Sequence, residues 1–252
     1  MIEFSDLHKA FGREAVLRGV DLRVQEGETL ALLGPSGTGK SVLLKHAIGL
    51  LAPDSGDVVV DGTSIANASP DQLRKVRKRV GYVFQNAALF DSMTVLENLW
   101  LAIDDDYRVS AGECRAEAAT LLERVNLDPG LLDAYPAELS GGMRKRVGVA
   151  RAIASRPRYV LYDEPTTGLD PINAEKIDAL IMELRRELGV TSIVVTHDLE
   201  SAFTVGDRVA LLFDGRIHIC GTPSEVLASD DAVVKRFVSR GRFGAETAAG
   251  AG

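Results

Sequence analysis

The residues best suited to chemistry form one short stretch in which glycines surround a lysine and a serine. In order they are Gly34, Pro35, Ser36, Gly37, Thr38, Gly39, Lys40 and Ser41. The stretch matches the pattern GxxxxGK(S/T) in full, with an apolar segment before it and a helical pattern after it. Glycines let the backbone curl with its N–H groups facing inward, Lys40 can place a positive charge on terminal phosphates, and the Ser41 hydroxyl can bind Mg²⁺. These residues predict a loop that binds the phosphates of a nucleotide.

Two acidic residues follow a second apolar segment. Asp163 and Glu164 come directly after the run Tyr159–Tyr162. In proteins with a phosphate loop, an acid at the carboxyl end of a buried strand is the usual second anchor for Mg²⁺. The next acid is placed to polarise a water for attack on the γ-phosphate. We therefore predict that Asp163 is a metal ligand and Glu164 a catalytic residue, although two acids alone would more often mark an ordinary turn.

A histidine takes the same kind of position after a third apolar segment. His197 follows Ser192–Thr196. An isolated histidine is more often structural, but at this edge of a sheet its side chain could contact the γ-phosphate. We predict that role for His197 and a structural or surface role for the three other histidines, His8, His46 and His218.

A second glycine-containing stretch opens a helix rich in arginine and lysine. It consists of Leu139, Ser140, Gly141, Gly142 and Met143. Ser140 is a good N-cap residue, and the paired glycines expose backbone amides at the start of the helix. These features predict a second anion site, and no local loop is present to complete it.

Composition limits the classes of function. The chain has 252 residues and a formal net charge of −7, which makes a large nucleic-acid surface unexpected. We interpret its basic clusters, at 74–79 and 144–146, as solvated helix faces or charge near phosphate, and predict no nucleic-acid partner. The chain has two cysteines without metal-binding spacing and no signal peptide, which favours a reducing compartment. It has no run of about 18 apolar residues, so we expect a partner to supply any membrane part.

The elements that must position these residues alternate between strand and helix. Predicted strands are Thr29–Leu33, Asp57–Asp61, Val80–Phe84, Tyr159–Tyr162, Ser192–Thr196, Arg208–Phe213 and Arg216–Cys220. Predicted helices run from Lys40 to about Leu51, over Pro70–Arg79 and over Asn173–Leu188. Before them, the alternation around Val20–Val24 predicts a half-buried antiparallel strand. Such alternation around a buried sheet predicts an α/β fold, here with an inserted helical subdomain.

The stretch Leu139–Met143 resembles the signature motif of ABC transporter nucleotide-binding domains. The resemblance covers nearly the whole chain, and the motifs follow the order of that family. It implies further site residues: Phe11 as the aromatic that stacks on adenine, Gln85 as the Q-loop glutamine that touches Mg²⁺, His197 as the switch histidine, and Gly168, Leu169 and Asp170 as the D-loop. The family often has tyrosine where Phe11 stands, so ring stacking is kept and a hydroxyl is lost.

The resemblance also implies a fold, an assembly and an activity. The fold is a P-loop NTPase of ABC type, with a mainly parallel central sheet and an antiparallel β subdomain. We expect a nucleotide-binding domain at 1–240, a helical subdomain at about 87–157 inserted in its RecA-like core, and a flexible tail at 241–252. In that family two subunits form a head-to-tail dimer that hydrolyses ATP with Mg²⁺. The signature of one subunit closes over the phosphate loop of the other, which would complete the anion site at Ser140.

Finer features resemble the ATPases of the maintenance-of-lipid-asymmetry (Mla) type, which power phospholipid movement between bacterial membranes. Asp91 stands where many nutrient importers have proline, and Met143–Val147 reads MRKRV where importers commonly have glutamines. The segment 163–172 reads DEPTTGLDPI. The resemblance implies a homodimer on the cytoplasmic face of the inner membrane. Its partners would be an integral membrane permease, a membrane-tethered lipid-binding protein and, in some systems, a small STAS-domain regulator.

Three other interpretations remain open at the level of sequence. The ATPase could serve an importer of amino acids or other small solutes. It could be a soluble ABC ATPase acting on DNA or ribosomes, but Lys40 and Ser140 are only 100 residues apart without a heptad run, and the chain has a single nucleotide domain. A small-molecule kinase could use the same phosphate loop, but it would not explain Leu139–Met143 or His197.

Overall fold

A computed structural model describes residues 1–103 and 110–239. They form two compact units: one combines Met1–Ser69 with the described residues from Ile193 onward, and the other is the continuous segment Pro70–Ser192. The expected flexible tail at 241–252 lies outside the described residues. The expected subdomain at about 87–157 stays a prediction.

Ten strands and nine α-helices lie within the described residues. The strands are β1 (Ile2–Phe11), β2 (Glu14–Val24), β3 (Thr29–Leu33), β4 (Ser55–Val60), β5 (Thr63–Ser64), β6 (Val80–Val83), β7 (Tyr159–Asp163), β8 (Thr191–Thr196), β9 (Arg208–Phe213) and β10 (Arg216–Gly221). The helices are α1 (Lys40–Ala47), α2 (Pro70–Arg77), α3 (Val95–Ile103), α4 (Ala111–Arg124), α5 (Gly141–Ile153), α6 (Pro171–Leu188), α7 (Leu199–Val205), α8 (Pro223–Leu227) and α9 (232–239). Two short 3₁₀ helices, Pro129–Asp133 and Pro136–Glu138, precede α5.

The first unit contains an antiparallel sheet with the order β2-β1-β4-β5. In β2 the side chains of Val20, Leu22 and Val24 are buried while Asp21 and Arg23 are exposed. This alternation is the one the sequence predicts, because successive side chains of a strand point to opposite faces of a sheet.

The same unit contains the strand that leads into the phosphate loop. Every residue of β3 is buried, which is typical of a strand covered on both faces. β3 pairs in parallel with β9, and β9 pairs antiparallel with β10. The N–H of Thr29 donates to Oδ2 of Asp207 (2.8 Å), and the N–H of Asp207 donates to the Thr29 carbonyl (2.9 Å). These bonds fix the register at the start of β3, five residues before the loop begins at Gly34.

The second unit pairs β6 with β7 in parallel and carries α2 to α6. Buried apolar residues form one face of α4 and of α5; they include Leu121, Leu122, Val147 and Ala150. β6 packs tightly on α5, since a Cβ at Gly81 would lie 2.2 Å from the carbonyl oxygen of Ala152. No helix within 1–103 and 110–239 is long and apolar enough to cross a membrane.

Helix α1 is shorter than the sequence analysis predicts. It ends at Ala47 rather than near Leu51. Gly49 takes a left-handed conformation (φ 62°), and the N–H of Leu50 donates back to the carbonyl of Lys45 at 2.9 Å. A glycine in this conformation just past the last turn is the common way to end a helix. The prediction of an end near Leu51 was wrong because it overlooked this glycine.

Candidate functional site

The phosphate loop lies between β3 and α1 in the first unit. Gly37 and Gly39 both have positive φ angles, 83° and 99°, which side chains with a Cβ rarely adopt. At Gly34 a Cβ would lie 2.3 Å from the carbonyl oxygen of Leu212, and at Gly39 it would lie 2.7 Å from a methyl group of Val16. Two of the three glycines are therefore required by close packing of the loop as well as by its curvature.

Lys40 lies over this loop rather than extending into solvent. Its side chain is buried, and Nζ donates to the carbonyls of Gly34 (2.8 Å) and Pro35 (2.9 Å). At Gly37 the loop borders open space, since a Cβ there would meet nothing within 4 Å. The loop thus combines an ammonium, the amides at the start of α1 and the hydroxyl of Ser41. This donor set fits a phosphate and a hard cation such as Mg²⁺.

Two other predicted residues belong to the first unit. Phe11 is 47% exposed at the end of β1, and Lys9 Nζ lies 5.6 Å from its ring centroid. An exposed ring with a nearby cation is suited to stacking on a flat, electron-rich base. His197 is exposed directly after β8. Asp198 beside it caps α7 by accepting from the N–H groups of Glu200 and Ser201, which fixes the backbone at the histidine.

In the second unit, β7 ends at the first of the two predicted acids. Asp163 is only 6% exposed, and its Oδ2 accepts a hydrogen bond from the Tyr82 hydroxyl at 3.0 Å. Burial, with the charge of Asp163, raises the pKa of Tyr82. The phenol therefore keeps its proton and remains a donor. Tyr82 thus helps to orient the carboxylate of Asp163 at the end of β7.

Glu164 has an unusual backbone conformation. Its φ is 51°, and it is 9% exposed. A left-handed residue other than glycine costs roughly 1–2 kcal/mol. The turn that follows contains Thr167, whose hydroxyl donates to Oε2 of Glu164 at 2.6 Å. The carboxylate is thus held in one direction just past the end of the strand.

Gln85 lies in an exposed turn after β6. The turn continues through Ala87 and Ala88, both with positive φ (60° and 50°). Arg151 of α5 donates to both of their carbonyls, at 2.9 Å and 2.8 Å. These charge-assisted hydrogen bonds offset the backbone strain and attach the turn to α5.

The signature stretch forms the start of α5, as predicted. Ser140 accepts a hydrogen bond from the N–H of Met143 (3.2 Å), and Leu139 is buried. The signature also lies close to the predicted D-loop. A Cβ on Gly141 would meet the Leu169 side chain at 3.9 Å, and one on Gly142 would meet Asn173 at 3.7 Å. Asp170 caps α6 by accepting from Asn173 N–H, and Gly168 has a φ of 79°.

The basic residues after the signature are partly buried, so they do not form a solvated helix face, which is one of the two interpretations given for them above. Arg144 donates to the carbonyls of Leu139 and Pro136, and Arg146 donates to that of Asn126 at 2.9 Å. Lys145 turns toward the segment after Glu164. Their side chains are partly buried, and these donors bind backbone oxygens. They therefore offer little support for a nucleic-acid surface.

Four residues with clear roles in this geometry were missed from sequence. They are Tyr82, Lys145, Arg151 and Thr167. A tyrosine in a strand that is otherwise apolar was a usable signal, because a buried hydroxyl needs a partner. Lys145 and Arg151 carry no local signal, since their partners are carbonyls that only the folded chain brings near. Thr167 lies three residues from its partner Glu164, so its contact is local and was overlooked.

Comparison with known proteins identifies the family. A protein-family model described as ABC transporter matches residues 17–167, more than half of the chain. The chain belongs to the ABC transporter family. The predicted family, its α/β fold of P-loop ABC type, its ATPase activity and its use of ATP with Mg²⁺ are thereby confirmed.

Curated ABC proteins match over nearly the full chain. The probable ribonucleotide transport ATP-binding protein mkl of Mycobacterium bovis is 39% identical, covering 96% of this chain and 67% of that protein. The methionine import ATP-binding protein MetN of Caulobacter vibrioides is 42% identical, covering 100% and 76%. The sulfate/thiosulfate import ATP-binding protein CysA of the same species is 41% identical, covering 99% and 73%.

Solved structures of ABC proteins are also similar to this chain. The ATP-binding cassette MJ0796, a dimer in a post-hydrolysis state bound to ADP and Pi, has a TM-score of 0.81 and 36% identity, covering 88% of this chain and 99% of that chain. The protein cbiO1 of Clostridium perfringens, part of an ABC transporter complex, has a TM-score of 0.81 and 30% identity, covering 98% of both chains.

Proposed function

We propose that this ABC ATPase works as a head-to-tail homodimer that drives transport through a separate membrane permease. The observation that carries the proposal is the start of α5, where Ser140 and Gly141 are exposed. The first N–H groups of a helix have no acceptor within it and carry partial positive charge, so they bind anions. A second copy can supply that anion as the γ-phosphate of its own ATP. The dimeric MJ0796 cassette is a precedent for such pairing.

Several motifs have a proposed role in binding the nucleotide. Phe11 stacks on adenine, Gly34–Ser41 wrap the phosphates, and Lys40 neutralises the terminal charge. Ser41, Gln85 and Asp163 would hold Mg²⁺, which would supply positive charge to neutralise the phosphates.

The remaining motifs act on cleavage and closure. Glu164 accepts a proton from the attacking water, and His197 contacts the γ-phosphate. Leu139–Met143 of the second copy closes the site, and the D-loop Gly168–Asp170 lies at the contact between copies. Closure with ATP and release after cleavage is an order-and-release switch driven by the γ-phosphate.

Replacing Ser140 with arginine should abolish ATP-dependent dimers while leaving ATP binding by the monomer intact. The new side chain would fill the exposed start of α5 that receives the partner's phosphate. Dimers can be measured by size-exclusion chromatography with ATP in a Glu164→Gln background.

Ser110→Arg is the matched control, because Ser110 is also an exposed N-cap serine, on α4. Both substitutions remove a cap, which costs about 1 kcal/mol, but only the first reaches the signature. If Ser140→Arg still formed ATP-dependent dimers, the head-to-tail arrangement would be excluded.

A groove in the second unit supports docking on a permease. It has a volume of about 1000 Å³ and is lined in part by Arg74, Arg77, Lys78, Phe84, Phe90 and Leu101. Phe90, five residues after Gln85, is 53% exposed. Apolar walls with cations at the side suit an amphipathic segment that carries acidic residues. Such docking would place the chain on the cytoplasmic face of the inner membrane.

For the cargo we propose phospholipid, as in Mla-type systems. The support is the sequence around the groove and the signature, where Asp91 and Met143–Val147 depart from the pattern of nutrient importers. A membrane-tethered lipid-binding protein and a STAS-domain regulator complete that system. The alternative is a small-solute importer, and it is favoured by the matches to the methionine and sulfate/thiosulfate import proteins.

Isolation of the complex from membranes tests the cargo. The affinity-tagged chain, purified from its native host in mild detergent, should retain a permease and a lipid-binding protein with phospholipid detected by mass spectrometry. A Phe90→Asp variant is the control and should lose the permease while still binding ATP. Recovery of a binding protein for an amino acid or an inorganic anion, without phospholipid, would overturn the lipid proposal.

A further inference from the structure

The turn after β7 is held by two side chains that have no role toward the nucleotide in the proposal above. Residues 164–167 leave the strand through the left-handed Glu164, and the N–H of Thr167 returns to the Glu164 carbonyl at 3.3 Å. At 3.3 Å this turn hydrogen bond is longer than is usual for N–H···O and is therefore weak. The additional contacts come from Thr167 and from Lys145 on α5.

Thr167 acts on the carboxylate. Its hydroxyl donates to Oε2 of Glu164 at 2.6 Å. This is a short, charge-assisted hydrogen bond, which is about twice as strong as a neutral one. With one oxygen engaged, the rotation of the carboxyl group of Glu164 is restricted.

Lys145 acts on the backbone of the same turn. Its ammonium donates to the carbonyls of Pro165 at 2.8 Å and Thr167 at 2.5 Å, with a longer contact to that of Glu164 at 3.5 Å. Three carbonyls on one ammonium tie the turn to α5 at both ends. Burial lowers the pKa of Lys145 to about 8, and the charge of Glu164 opposes that shift. Near neutral pH the ammonium therefore still carries its proton.

We propose that Thr167 and Lys145 are positioning residues for hydrolysis: Thr167 aims the carboxylate of Glu164, and Lys145 fixes the turn that carries it. The inference rests on the proposed role of Glu164 in activating water. Neither residue touches the reacting atoms. Their effect is geometric, since a general base must lie within hydrogen-bond reach of the water it deprotonates. An error of about 1 Å in placement is enough to slow a reaction about a hundredfold.

The test distinguishes an effect on the orientation of Glu164 from an effect on folding or on ATP binding. Thr167→Val removes the hydroxyl and keeps the shape, whereas Thr167→Ser keeps the hydroxyl. Lys145→Met removes the ammonium, whereas Lys145→Arg keeps a charged donor. Lys176→Met, on the exposed side of α6, controls for the loss of one positive charge. For each variant the kcat, the KM and Kd for ATP, and the melting temperature are measured.

We expect kcat to fall about 10- to 100-fold in Thr167→Val and about tenfold or more in Lys145→Met, with the Kd for ATP within about twofold of wild type. Thr167→Ser should restore most of the rate, and Lys145→Arg part of it. Lys176→Met should match wild type. If Lys145→Met does not fold, the two threonine variants and Lys145→Arg still decide the question.

Glu164→Gln, assayed beside them, separates two kinds of failure. If it hydrolyses ATP at the wild-type rate, the role of Glu164 fails and the positioning inference falls with it. If Glu164→Gln is inactive but Thr167→Val and Lys145→Met keep full kcat, only the positioning inference is overturned. A serine variant as slow as the valine variant, or losses in Kd that match the losses in kcat, would also overturn it.

Discussion

Glu164→Gln should bind ATP as tightly as wild type and hydrolyse it about 10²–10⁴-fold more slowly, the range expected when a general base is removed. Glutamine keeps the size of the side chain and can still accept the hydrogen bond from Thr167. It cannot take a proton from water. Since ATP would persist, the variant should also accumulate as a dimer, measured by size-exclusion chromatography beside a phosphate-release assay.

Glu175→Gln is the matched control, because Glu175 lies on the exposed part of α6. It should leave the rate of phosphate release unchanged. Wild-type turnover by Glu164→Gln would remove Glu164 from the catalytic role. Slow turnover without an ATP-dependent dimer would leave that role intact but contradict the proposed switch.

Lys40→Ala should weaken ATP binding by about 30-fold or more. The ammonium of Lys40 is buried against the loop, and its removal deprives the terminal phosphates of a charge-assisted donor. Losing one side of a buried charged pair costs about 2 kcal/mol or more. Isothermal titration with MgATP measures the change directly.

Two measurements show whether the loss of ATP affinity has another cause, such as unfolding or a general effect of charge. Lys40 also bonds the carbonyls of Gly34 and Pro35, so the variant's melting temperature shows whether the fold survives. Lys45→Ala, on the same helix, tests for a general effect of charge and should bind ATP normally. Unchanged affinity in Lys40→Ala would contradict the phosphate-loop assignment.

Much of the fold and of the nucleotide motifs follows from local sequence. The run Thr29–Leu33 is apolar on both faces, and it forms a fully buried strand. The phosphate loop requires glycine where the backbone is left-handed or crowded, as at Gly39. Because the residue type itself meets this requirement, the loop can be predicted from the sequence. Ser140 caps its helix as its type and position predict. Each of these features depends on neighbours within a few residues.

Apart from Thr167, which is three positions from Glu164, the residues that position the two acids are distant in sequence. Tyr82 and Asp163 are 81 positions apart, and Lys145 and Pro165 are 20 apart. No periodicity links such pairs, so only the packed structure identifies them. The conformation of the turn at Ala87 and Ala88 could not be predicted from the sequence for another reason. Alanine disfavours positive φ, and the conformation is supported by Arg151, 63 or 64 residues away, rather than by local preference.

The pairing of β3 with β9 also bears on how this protein is made. Thr29 and Asp207 are 178 positions apart, so nearly the whole chain must leave the ribosome before the strand that leads into the phosphate loop gains this neighbour. The segment Pro70–Ser192 is continuous and can begin to fold earlier, because it waits for no later residues. Closing so long a connection is entropically costly and slow. During synthesis, the nascent chain therefore acquires its ability to bind nucleotide late, after β9 has become available to pair with β3.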